Sequence, residues 1–174
     1  MTPLDDFFQR FGITADDLRG AEVRAEIPLT NAVVNRFIAE QLAKRQTPLV
    51  GVQTDALADD SCATQLVAKT RMIPSMTVFT RIERQPEFPS DPVLWLRWSM
   101  PGSLSLLAGP AMRFFKTAIE QKLPRGISLD GERVAIDVAQ LLAERGFGDL
   151  VGYIAGLRVR TRPGAFLVQV EMKA

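Results

Sequence analysis

Three acids, one thiol, a glycine series and a ladder of arginines are the groups in this sequence whose chemistry can be argued from type and spacing. Asp55, Asp59 and Asp60 would suit a divalent cation. Their spacing is not that of an EF-hand loop, however, and adjacent acids between strand-like runs read more simply as solvated turn residues. Cys62 falls on the apolar phase of a strand pattern, the position of a buried, inert thiol rather than a nucleophile. The chain has 0 histidines. A serine or cysteine relay would therefore need a lysine or a terminal amine as its base, and imidazole metal ligands are excluded. Gly146, Gly148, Gly152 and Gly156 follow a helical pattern instead of a strand, which is the wrong context for a dinucleotide loop. The expectation is a protein that is not an enzyme, with no catalytic residues, no metal and no cofactor.

The basic residues are more informative. Lys69, Arg71, Arg81, Arg97, Arg158, Arg160 and Arg162 all fall on the polar phase of strand-like runs, so they are expected to share the outer face of a sheet. Such a face either is simply solvated and discourages edge pairing, or touches anionic head groups or an acidic partner. Arg158, Arg160 and Arg162 are the candidates for that anionic-surface contact.

The elements that must position these groups follow from periodicity. Two short helical pieces, 4–11 and 14–19, precede an alternating strand through Val23, Ala25, Ile27 and Leu29. Thr30 or Asn31 then caps a helix running to about Arg45, whose apolar stripe is Val34, Phe37, Ile38 and Leu42. Residues 48–100 read as three or four strands, with a proline-rich loop over 85–92. A second long helix is expected over about 103–123. Asp130–Gly131 marks a hairpin, a short helix over 138–145 stops at Gly146, and Pro163–Gly164 turns a final pair of strands. Long runs of strand with no helices between them favour antiparallel pairing. The predicted class is α+β, with two long helices packed on one face of one strongly curved antiparallel β-sheet.

Composition agrees with a single globular domain over 1–174. The chain has 174 residues, is 47% hydrophobic and 24% charged, and carries 21 Lys plus Arg against 20 Asp plus Glu. That near-neutral balance argues against nucleic acid as the main partner. Residues 1–10 lack a continuous apolar run, and the longest apolar stretch, 104–112, is far short of a membrane span. A cytoplasmic location is the expectation, or a periplasmic one if a leader has been removed. One cysteine excludes an intrachain disulfide.

The apolar side carries the functional expectation. Both phases of the run Val93–Met100 are rich in large apolar residues, and methionines, which adapt to variable apolar shapes, lie on or beside strands. Together they allow a lined cavity for an apolar ligand.

The order of elements is also recognisable. A strand ending Ile27-Pro28-Leu29-Thr30 leads into the helix Asn31-Ala-Val-Val-Asn35-Arg-Phe-Ile-Ala-Glu-Gln-Leu42. Long strands and a second amphipathic helix follow, then Asp130-Gly131 and Asp137, and a Gly164 hairpin ends the chain. This pattern, over about residues 22–173, resembles the single-unit bacterial members of the tubular lipid-binding (TULIP-like) superfamily. The resemblance implies a long helix wrapped by a curved antiparallel sheet, an apolar groove for acyl chains, and no catalytic residues. The phase assignments place Val34, Ile38, Met72, Met76, Val78, Leu96, Trp98, Phe115, Ile119, Val159 and Val168 in that groove. The expected partner is a lipid or other hydrophobic small molecule, with peripheral contact to an anionic membrane and with homo-oligomerisation left open. The alternative is a protein-interaction or scaffold module whose core is filled.

Overall fold

The structure, a computed structural model, describes residues 20–44, 49–69, 75–100 and 125–173. Apolar residues at every second position make β1 (Glu22–Thr30). Thr30 ends it and caps α1 (Asn31–Ala43), its Oγ1 accepting from Val33 N at 3.4 Å. Four strands follow: β2 (Leu49–Ala56), β3 (Ser61–Ala68), β4 (Met76–Arg84) and β5 (Val93–Ser99). The Asp130–Gly131 signal joins β6 (Ile127–Asp130) to β7 (Arg133–Asp137), with Gly131 at φ 59. Asp137 caps α2 (Val138–Glu144) by accepting from Gln140 N at 2.9 Å. A 3-10 helix, Gly148–Tyr153, then leads into β8 (Ile154–Arg162) and β9 (Ala165–Lys173).

The described residues form an α+β fold with a strongly curled antiparallel sheet. Hydrogen bonding divides its strands into two sheets rather than the single one expected. One has the order β1-β9-β8, the other β2-β3-β4-β5-β7-β6, and every pairing is antiparallel. The division has a local cause. On its side away from β9, β8 meets side chains instead of another strand: Gln85 and Asp60 bond its backbone.

The place of α1 also differs from expectation. It contacts β2 and β1, lying along the edge of β2 instead of across the faces of β3, β4 and β5. The reason is polar. Asn31 and Asn35 stand one turn apart on α1 and bond the β2 backbone, which ties the helix to the strand's edge. The predicted second long helix and the helical pieces before residue 20 lie outside the described residues.

Seven hydrophobic residues are buried among those described: Ala56, Leu66, Ala68, Met76, Leu94, Ile154 and Ala165. Ala68 and Met76 form a small cluster with Leu49 and Met100 packed against it. No helix among the described residues is long and apolar enough to cross a membrane.

Candidate functional site

Register defines an apolar face on each sheet. In the three-stranded sheet, Ile27, Val168 and Val159 stand in one row across β1, β9 and β8, and Ala25, Val170 and Leu157 in the next. In the six-stranded sheet, Met76 pairs with Leu66, Val78 with Thr64, Trp98 with Thr80 and Leu96 with Ile82. Of the groove candidates, Met76, Val78, Leu96 and Trp98 are thus gathered on one face, and Val159 and Val168 on another. Val34 and Ile38 lie on the half-buried stripe of α1, between and beside the two asparagines. Met72, Phe115 and Ile119 lie outside the described residues.

Most of these side chains are only half-buried. Met76 is buried, while Val78, Leu96, Trp98, Val159 and Val168 are intermediate. At the β1 end of the smaller sheet exposure rises further, with Val23 57% and Ile27 47% exposed. A close-packed core normally encloses such residues almost completely.

Side chains close both sheet edges that adjoin this region. Asn35 Nδ2 donates to Thr54 O at 3.0 Å, and Asn35 Oδ1 accepts from Thr54 N at 2.7 Å. Asn31 Oδ1 accepts from Ala56 N at 2.9 Å. On β8, Gln85 Nε2 donates to Val159 O at 2.7 Å and Gln85 Oε1 accepts from Val159 N at 2.9 Å. Asp60 Oδ1 accepts from Thr161 N at 3.0 Å, while Thr161 Oγ1 accepts from Ser61 N at 2.9 Å. A carboxamide carries one donor and one acceptor at nearly the spacing of a backbone residue, so it can replace a neighbouring strand for one pair.

These bonds also engage two of the acids considered for a cation. Asp60 holds β8, and Asp55 Oδ1 accepts from Asn31 Nδ2 at 3.1 Å. Asp59 and Asp60 both adopt positive φ, 58° and 54°, in the turn between β2 and β3. Among the described residues no group of three or more Cys, Asp or Glu is placed to hold a metal. Cys62 is half-buried between Ala56 and Thr80. Burial pushes its thiol up, and hydrogen bonds with Thr64 and Thr80 only partly offset that, so it is a poor nucleophile.

The basic residues do not share one sheet. Arg81 pairs with Arg97 in the six-stranded sheet, whereas Arg158, Arg160 and Arg162 lie on β8 in the other. Lys69 follows the end of β3, and Arg71 lies outside the described residues. On the charged face of the smaller sheet a cleft of about 1010 Å³ opens against the loop after β4. Arg158 and Arg160 line it; Arg162 does not.

Gln85, Asn31, Asn35 and Asp60 are the positions that sequence reasoning missed as structural ligands. The asparagines were visible at a spacing of one helical turn. Gln85 sat in a loop without periodicity, where no pattern singles out a residue. Comparison with protein-family models, with curated proteins and with solved structures yields no match to this chain.

Proposed function

We propose that the protein is a non-enzymatic binder of a lipid or similar hydrophobic ligand, held against the apolar faces of its two sheets. One observation carries this reading. Each sheet has an apolar face ordered in register, yet its large side chains are mostly half-buried, and Val23 and Ile27 are about half exposed or more. Burying such surface is worth about 25 cal/mol per Å², so an apolar molecule laid along these faces would be stabilised without any directional bond. Groove walls of Met76, Val78, Leu96 and Trp98 on one sheet, and Val159 and Val168 on the other, favour acyl chains over a polar substrate. The closed edges of β2 and β8 support the same reading. They keep backbone polar groups away from the apolar surface, which suits a ligand that offers no hydrogen bonds.

Native mass spectrometry of freshly purified protein, before and after organic extraction, tests this. The expected result is an added mass of lipid size that extraction removes and that added fatty acid or phospholipid restores. A single unliganded mass throughout, unaltered by added lipid, would leave the filled scaffold module instead.

A further inference from the structure

The cleft on the charged face has a chemistry that the apolar walls do not explain. Arg158, Arg160 and Arg162 occupy alternate positions on β8, and their partners on β9 are Gln169, Leu167 and Ala165. No carboxylate therefore stands opposite any of them, where an opposite charge would ordinarily stabilise the pair. Guanidiniums so placed rise from backbone positions about 6.6 Å apart along the strand, close enough to repel one another.

The cleft's acids do not relieve this. Glu171 is held by Lys173 at 3.3 Å and Arg24 at 3.6 Å. Glu26 accepts from Gln169 Nε2 at 2.8 Å, and Asp60 is bonded to Thr161 N at 3.0 Å. Arg84, which also lines the cleft, is paired with Asp91 at 2.6 Å. Among the described residues Arg158 and Arg160 have no ion-pair partner, although both are exposed and face the same cleft. Of the cleft's acids, Glu26 and Glu171 thus lie on β1 and β9, Asp60 is bonded to the β8 backbone, and Glu87, in the loop after β4, makes no ion pair with Arg158 or Arg160.

We propose that Arg158 and Arg160 form a binding site for a phosphate ester on the β8 wall of this cleft. Guanidinium forks match phosphate oxygens in pairs. A tetrahedral phosphate presents oxygens in more than one plane and can engage two forks at once, whereas a planar carboxylate is satisfied by one. The cleft, at about 1010 Å³, lies at the upper end of ligand pockets, so it has room for the organic group that the phosphate carries. That ester is either a lipid head group or a small soluble phosphate. The site stands on the cleft alone and does not require the apolar walls to hold a lipid.

Two probes at low salt distinguish the sources: glycerol 3-phosphate followed by calorimetry, and cosedimentation with phosphatidylglycerol vesicles against phosphatidylcholine vesicles. The double variant R158Q/R160Q is expected to bind at least about tenfold more weakly. R81Q, which removes an exposed arginine outside the cleft, is expected to bind like wild type. Neither exposed replacement should lower the thermal unfolding temperature, since each removes a charge from a row of like charges. Loss on both probes shows that the phosphate itself is recognised, loss on vesicles alone identifies a lipid source, and loss on glycerol 3-phosphate alone a soluble one. The proposal is overturned if wild type binds neither probe, if R158Q/R160Q binds as wild type does, or if R81Q weakens binding equally.

Discussion

Asn35 does for β2 what a neighbouring strand would otherwise do, because its amide satisfies both the N–H and the C=O of Thr54. Thr54 is the buried polar residue among those described, at 7% exposure, and its hydroxyl is shared with Thr64 at 3.1 Å. Water has little access there, so losing the amide leaves two backbone groups unpaired. Asn35→Ala is expected to destabilise the fold by roughly 1–3 kcal/mol, the usual cost of a stranded buried polar group. Asn35→Asp should be at least as damaging, since a carboxylate keeps the acceptor but faces the Thr54 carbonyl with no donor. Chemical denaturation of the three proteins checks this. A variant as stable as wild type would mean that water caps Thr54 as well as the amide does. The same replacement uncovers a strand edge, so a greater tendency to aggregate is expected beside the lower stability.

At the scale of elements, the outer face of the six-stranded sheet is ordered by one glutamate among arginines. Arg81, Arg97 and Arg133 stand in one row across β4, β5 and β7, an arrangement of like charges that opposes pairing. Glu83 counters it, bonding Arg97 at 2.7 Å and Arg133 Nε at 2.9 Å. Desolvation pushes the Glu83 carboxyl up, but the bonds and charges of Arg133 and Arg97 together outweigh it and hold it below the ordinary 4.5. A carboxylate depressed in the fold contributes stability above its unfolded pKa, and that contribution is lost as pH falls through the lower folded value. Melting temperature measured from neutral to acid pH should therefore fall less steeply below about pH 4.5 in Glu83→Gln than in wild type. The cluster is exposed, so the difference should be small and should shrink in high salt. Parallel curves would mean that Glu83 does not bind the three strands together.

At the scale of the whole molecule, the two tryptophans report on opposite sides of one strand. Trp98 shares the apolar face with Leu96 and pairs with Thr80. Trp95 lies on the other face, beneath the Arg84 guanidinium at 5.7 Å, with its buried indole nitrogen lacking a partner among the described residues. If lipid lies along the apolar face, Trp98 fluorescence should shift to the blue on adding fatty acid, and Trp95 fluorescence should not. The variants Trp95→Phe and Trp98→Phe isolate the two signals. A shift confined to Trp95, or none from either, would contradict the assigned groove.

What the amino-acid sequence determined was local. Alternation marked β1, β3, β4, β5, β8 and β9, Thr30 and Asp137 marked helix starts, and Asp130–Gly131 and Pro163–Gly164 marked turns, because each depends on residues within a few positions of one another. It also assigned side chains to faces within each strand, so Met76 and Val78, or Leu96 and Trp98, could be grouped before any pairing was known. The tertiary structure alone decided that the strands form two sheets, that α1 lies along an edge, and that the basic residues divide between sheets. Those outcomes rest on contacts between distant residues, such as Gln85 with Val159 or Asn35 with Thr54, made by single polar side chains whose partners nothing in the local sequence marks.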